Sequence, residues 1–270
     1  MVRRYANPWQ PRWAAGSTDI RSRGRSASPL NNKRWLPLIC AAASLLLTGA
    51  NASAEEQAFR ILSPPGSSPH PAVLLVPGCS GFAANNGVNH YEERAAELQA
   101  DGYAVVFVDF VVRRMQLNCA HVAQSEVAQD ILDAAAWARQ QPGVDGRRIS
   151  VIGWSFGAGG VLAALKAMPA DPPIAKAVMY YPVCRGAVPW SVGVIGLMLL
   201  GDKDDVAYPA LCQPVVDGVP AERLRVVTYP GARHGFDNRG FPEHAEQSGA
   251  PVYNAEAAKA SWTAVLEFLK

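Results

Sequence analysis

The sequence predicts an α/β fold, one mostly parallel sheet with helices on both faces. Three observations predict it. The strand-like runs are uniformly apolar, as at residues 72–76 (Ala-Val-Leu-Leu-Val), which suits strands buried on both sides. They alternate with helix-like segments. Small and polar residues gather just after the strands, where an open α/β sheet binds its ligands.

In chain order, residues 59–62 (Phe-Arg-Ile-Leu) read as a short strand, turned by Pro64-Pro65-Gly66. The apolar run 72–76 ends in Pro77-Gly78-Cys79-Ser80-Gly81. Residues 91–100, rich in Glu and Ala, form a helix that Asp101-Gly102 stops before a second buried strand, 103–108. Residues 109–121 read as a loop holding Arg113, Arg114 and Cys119. A long helix over 125–140 puts Val127, Ile131, Ala134 and Ala138 on one face. Strands follow at 149–152, 175–181, 194–200 and 224–229, with helices at 161–168 and 209–216. Asn254 caps a last helix whose stripe of Trp262, Val265, Leu266 and Leu269 belongs to the core. No repeat and no linker interrupts this series, so residues 55–270 are expected to form a single domain.

Residues 1–54 differ in character. They carry eight basic residues (Arg3, Arg4, Arg12, Arg21, Arg23, Arg25, Lys33, Arg34) against Asp19 alone, leaving 17 basic and 22 acidic residues from Glu55 onward. The domain is therefore mildly acidic and has no basic patch for nucleic acid. Lys33-Arg34, the apolar run 35–47 and Ala52-Ser53-Ala54 read as a signal peptide cleaved near Ala54. The run is too short to span a bilayer core of about 30 Å, so no membrane insertion is expected after cleavage. The mature chain is expected to be exported, to the periplasm or beyond. Cys40 leaves with the leader, and Cys79, Cys119, Cys184 and Cys212 remain. In an oxidising compartment four cysteines invite two disulfides, with three possible pairings.

The chemistry centres on Gly153-Trp154-Ser155-Phe156-Gly157. This is the G-x-S-x-G nucleophile elbow between a strand and a helix. The glycines let strand and helix pass closely around a strained serine. Ser155 needs a base. Of the five histidines, only His234 directly follows a strand after an acidic cluster. That cluster is Asp202, Asp204 and Asp205, which compete for the role of triad acid, with Asp204 preferred and Asp205 next. Chain order is Ser, Asp, His, as in an α/β-hydrolase. The backbone N–H groups of Phe156 and Cys79 are the oxyanion-hole candidates. Trp154 and Phe156 flank Ser155 and are candidates to line an apolar pocket.

Taken together, Gly-Trp-Ser-Phe-Gly, Gly201-Asp202-Lys203-Asp204-Asp205 with Pro209 and Cys212 behind it, and Tyr229-Pro230-Gly231-Ala232-Arg233-His234-Gly235-Phe236-Asp237 resemble the dienelactone hydrolase family of α/β-hydrolases. The resemblance implies catalytic positions at Ser155, Asp204 and His234. It implies a substrate-gripping role for Arg113, with Arg239 near a second such position. It also implies the pairing Cys184–Cys212, which leaves Cys79–Cys119. The founding enzymes carry cysteine in the elbow where this chain has Ser155. The expected activity is hydrolysis of a small ester or lactone through an acyl-enzyme, by a monomer needing no metal or organic cofactor. Polyester or lipid hydrolysis, a peptidase of related fold and a non-catalytic binder on this scaffold are the rival readings.

Overall fold

The structure, a computed structural model, describes residues 59–66, 69–190, 192–244 and 247–270. The expected signal peptide, its cleavage site and Cys40 lie outside the described residues. Among the described residues the strands are β1 (Phe59–Leu62), β2 (His70–Val76), β3 (Ala104–Val108), β4 (Val144–Trp154), β5 (Lys176–Tyr180), β6 (Ile195–Gly201) and β7 (Leu224–Tyr229). They form one sheet in the order β1-β3-β2-β4-β5-β6-β7. Only the edge strand β1 runs antiparallel, paired with β3; the other neighbours are parallel.

The apolar runs are continuous because each face of the sheet needs its own half of the residues. Leu74 and Val76 of β2, Val106 of β3 and Val151 of β4 enter one core. Their neighbours Val73, Leu75, Val105 and Ile152 enter the other. The helices are α1 (His90–Ala100), α2 (Phe110–Arg113), α3 (Gln124–Ala138), α4 (Phe156–Ala167), α5 (Gln213–Gly218) and α6 (Ala255–Leu269). α3 and α4 cover the first face, through Val127 and Ile131 and through Val161 and Leu165. α1 and α6 cover the second, through Ala95 and Leu98 and through Trp262 and Val265. Each fully buried aliphatic side chain of this kind contributes about 1.5–3 kcal/mol. Asn254 caps α6 as expected, accepting from the Ala257 N–H at 3.0 Å.

Four elements differ from the sequence expectation. β4 starts at Val144 and ends at Trp154, where the sequence predicts a strand over 149–152. The segment 109–121 is not all loop: Asp109 accepts from the Val111 and Val112 N–H groups and starts α2, and a 3₁₀ turn spans Cys119–His121. α4 begins at Phe156 rather than at 161, because Gly157, Gly159 and Gly160 are tightly packed helical residues and not a turn. The helix expected over 209–216 divides into a 3₁₀ turn at Pro209–Cys212 and α5. Among the described residues, no helix is long and apolar enough to cross a membrane.

Candidate active site

The carboxyl ends of the central strands open onto a cavity of about 270 Å³, with Ser155, His234, Cys79, Tyr91 and Tyr181 in its wall. β4 passes into α4 through Ser155, whose φ of 52° and ψ of −115° hold it on the left-handed side. Such strain costs a side-chain-bearing residue about 1–3 kcal/mol. Backbone bonds enforce it: the Ser155 N–H donates to Tyr180 O at 2.9 Å, and Ser155 O accepts from Gly159 at 3.0 Å and Val183 at 3.2 Å. The glycine spacing is steric. A Cβ on Gly153 would sit 2.8 Å from Ala158 Cα, and one on Gly157 would sit 2.2 Å from Pro77 O.

His234 lies beyond β7, where its carbonyl accepts from the Val252 N–H at 2.9 Å. Its Nε2 is 2.8 Å from Ser155 Oγ. Its Nδ1 is 2.8 Å from Asp204 Oδ2. With a proton on Nδ1, the ring donates to the carboxylate and offers Nε2 as acceptor to the serine O–H. Asp204 is itself fixed, because its Oδ1 accepts from the N–H groups of Val206 at 2.9 Å and Ala207 at 2.8 Å. His234 and Asp204 are both buried.

The three competing acids separate cleanly. Asp202 accepts from the Gly231 N–H at 2.7 Å. Asp205 accepts from Ser248 Oγ, the Gly249 N–H and Arg233, at 2.7, 2.8 and 2.8 Å. Those donors, Ser248 first, hold the Asp205 carboxyl down at about 2. Asp204 alone of the three reaches His234.

The Cys79 amide belongs to the loop after β2, and the Phe156 amide opens α4, whose positive end lies behind Ser155. Among the described residues, neither N–H has a hydrogen-bond acceptor. The Phe156 ring turns away and packs on Phe110, with centroids 5.8 Å apart. The cysteines pair as Cys79–Cys119 and Cys184–Cys212.

Of the expected substrate contacts, Arg113 and Arg239 are engaged elsewhere. Arg113 is outside the cavity wall. Its Nε lies 2.7 Å from Asp130 Oδ1 and its Nη2 lies 2.6 Å from Asp133 Oδ2. Asp130 is a buried carboxylate on α3 whose burial raises its pKa, opposed by Arg114 and Arg113. A buried charge of this kind demands a cation, and that demand takes Arg113 away from the site. Arg239, the second position, pairs with Glu93 through a 2.9 Å bond from its Nε. Trp154 borders the cavity, but its indole is only 1% exposed and its N–H donates to Asp237 Oδ2 at 2.8 Å. It is a packing residue that anchors a carboxylate.

That carboxylate is what sequence reasoning missed. Asp237 accepts from Tyr181 Oη at 2.6 Å, and His90 Nε2 lies 3.0 Å from Oδ2, off the hydrogen-bond direction. Burial raises the Asp237 pKa, but the His90 charge and the donors around it outweigh that and leave it below the ordinary range. Tyr181, with a φ of 34°, stands between the two histidine systems. Its hydroxyl bonds Asp237 and its ring lies against His234, centroids 4.7 Å apart. The one local signal was the placement of Tyr181 at the end of a predicted strand.

A family model described as the dienelactone hydrolase family matches residues 58–270. Among curated proteins, no sequence matches. Solved structures do. A dienelactone hydrolase-type protein from Klebsiella pneumoniae is 18% identical over 78% of this chain and 98% of its own, with a TM-score of 0.61. A dienelactone hydrolase-like promiscuous phosphotriesterase from metagenomic libraries is 21% identical over 78% and 96%, with a TM-score of 0.59. An esterase from Thermogutta terrifontis is 14% identical over 77% and 88%, with a TM-score of 0.53. At these identities the structural likeness establishes the α/β-hydrolase fold.

Proposed function

Since the chain belongs to the dienelactone hydrolase family, we propose that it is an exported serine hydrolase acting on small carboxylic esters or lactones. The observation that carries this reading is the position of His234, 2.8 Å from Ser155 Oγ on one side and 2.8 Å from Asp204 Oδ2 on the other. A serine hydroxyl is a poor nucleophile at neutral pH until a base takes its proton.

Ser155 Oγ attacks the ester carbonyl while His234 Nε2 removes its proton. Asp204 keeps the imidazole in the right tautomer and stabilises the imidazolium, without itself taking the proton. The carbonyl oxygen becomes an oxyanion, which the Cys79 and Phe156 N–H groups hold. Collapse of this intermediate expels the alcohol, which leaves with the proton from His234. Water, activated by His234 in turn, then attacks the acyl-serine and releases the acid and Ser155. The same steps open a lactone ring, with the alcohol retained on the product. The chemistry assigns no role to a metal or organic cofactor, and the unit of function is a monomer.

Export rests on the leader at residues 1–54 and is supported by the two disulfides, which persist in oxidising compartments. The test is hydrolysis of p-nitrophenyl acetate and butyrate by the mature chain. Turnover is expected, with loss of about 10⁴-fold or more in kcat for Ser155→Ala. Equal turnover by the Ser155→Ala variant excludes the mechanism.

A further inference from the structure

We propose that the Cys79–Cys119 disulfide is a positioning element of the active site, holding the Cys79 amide where the oxyanion forms. This rests on the oxyanion role proposed above for that amide.

The loop after β2 lies directly against the nucleophile. Val76 pairs with Gly153 of β4, and a Cβ placed on Gly78 would be 3.7 Å from Ser155 Cβ. The loop has few anchors of its own. The Gly78 N–H donates to Tyr91 Oη at 2.9 Å, and the Gly81 N–H donates to Gly78 O at 3.1 Å. The second restrains one side of the peptide that carries the Cys79 N–H, and the Cys79 Cα at its other end is left to other contacts. Cys119 supplies them. Its N–H donates to Cys79 O at 2.9 Å and approaches Cys79 Sγ at 3.3 Å, and the two side chains are covalently joined. Side chain and carbonyl of Cys79 are thus both tied to one residue, and this holds the Cα that ends the 78–79 peptide, and with it the place of the N–H.

Cys119 is a firm post. It opens the 3₁₀ turn at Cys119–His121, where Asn118 Oδ1 accepts from the Ala120 N–H at 2.9 Å. That turn leads into α3, which packs on the nucleophile helix α4. The disulfide therefore references the oxyanion donor to the scaffold that carries Ser155. An oxyanion donor works only at about 2.7–3.1 Å from the developing charge, so a loosened loop loses transition-state stabilisation while substrate binding persists.

The two disulfides also differ in accessibility. Cys184 and Cys212 are buried, whereas Cys79 and Cys119 are partly exposed. A small dithiol reductant in native buffer reaches the second pair first. The dithiol gives two electrons and two protons to the S–S bond and ends as its own cyclic disulfide, leaving two protein thiols.

The experiment measures kcat and KM for p-nitrophenyl butyrate, and Kd for a trifluoromethyl ketone transition-state analogue, in Cys119→Ser and in dithiol-treated wild type with the new thiols mapped to Cys79 and Cys119. The expected result is a kcat lower by about tenfold to a hundredfold, with KM nearly unchanged and the analogue bound more weakly by the same factor. Reoxidation of the treated wild type restores all three. An unchanged kcat without the bond overturns the proposal. So does a loss of activity that tracks loss of near-UV circular dichroism and spares analogue affinity in the folded fraction, which is what a merely structural bridge gives. If untreated protein hydrolyses no ester, the functional reading falls and takes this proposal with it; if it does and kcat ignores the bond, the proposal falls alone.

Discussion

Among the described residues, two histidine–carboxylate pairs lie close together, one reaching the cavity through His234 and the other enclosed behind its lining residues Trp154 and Tyr181. His234 stands 2.8 Å from Asp204, and His90 stands 3.0 Å from Asp237. Both pairs are buried, and Tyr181 touches both, through its ring on one side and its hydroxyl on the other. They differ in what the pair faces. His234 turns its second nitrogen to the Ser155 hydroxyl at an open cavity. The His90–Asp237 pair is enclosed by Trp154 and Tyr181, and its carboxylate spends its oxygens on their N–H and O–H groups. In the proposed reading, a histidine beside an acid is chemistry in one place and architecture in the other. The distinction comes from the nucleophile and the access, not from the pair.

This contrast predicts opposite phenotypes for two similar substitutions. Asp204→Asn is expected to lower kcat by about 10³ to 10⁴-fold through the wrong imidazole tautomer, with little change in folding. Asp205→Asn serves as its comparator, because Asp205 ties Arg233, Ser248 and Gly249 together and does not reach His234. Kinetics on the same ester decide between them, and a larger loss for Asp205→Asn would move the triad acid.

Asp237→Asn is expected to do the reverse. It places an amide against two donors and removes the charge beside His90, at a cost of about 3–5 kcal/mol in stability. Its effect on kcat is smaller than that of Asp204→Asn. The sign with pH follows from the lowered Asp237 pKa. A carboxylate depressed in the folded state contributes stability that is complete above its unfolded value and lost as pH falls through the folded one. Urea unfolding should therefore show a difference between wild type and Asp237→Asn that is full at neutral pH and narrows only in acid. A difference independent of pH would deny the charge its role.

Much of the scaffold was legible in the sequence. Strands buried on both faces leave continuous apolar runs, and residues 72–76 and 149–152 could hardly read otherwise. The elbow was legible because its two flanking glycines stand where any Cβ collides with backbone. The acid loop was legible only as a cluster. Choosing among Asp202, Asp204 and Asp205 depends on the turn in which Asp204 accepts from the Val206 and Ala207 N–H groups, and the resemblance rather than the spacing favoured it. Arg113 misled because its partner is hidden. Asp130 interrupts no apolar stripe, so nothing local says that α3 buries a carboxylate. The His90–Asp237 pair was invisible for the same reason, since it joins the first turn of α1 to a loop far along the chain.

The central claim is that His234 and Asp204 make Ser155 the nucleophile, and covalent labelling with a fluorophosphonate tests it most directly. One adduct per chain is predicted, mapped to the peptide carrying Ser155, forming far more slowly in Asp204→Asn and absent in Ser155→Ala. An adduct on another residue, or undiminished ester turnover by protein whose Ser155 stays unlabelled, contradicts the account.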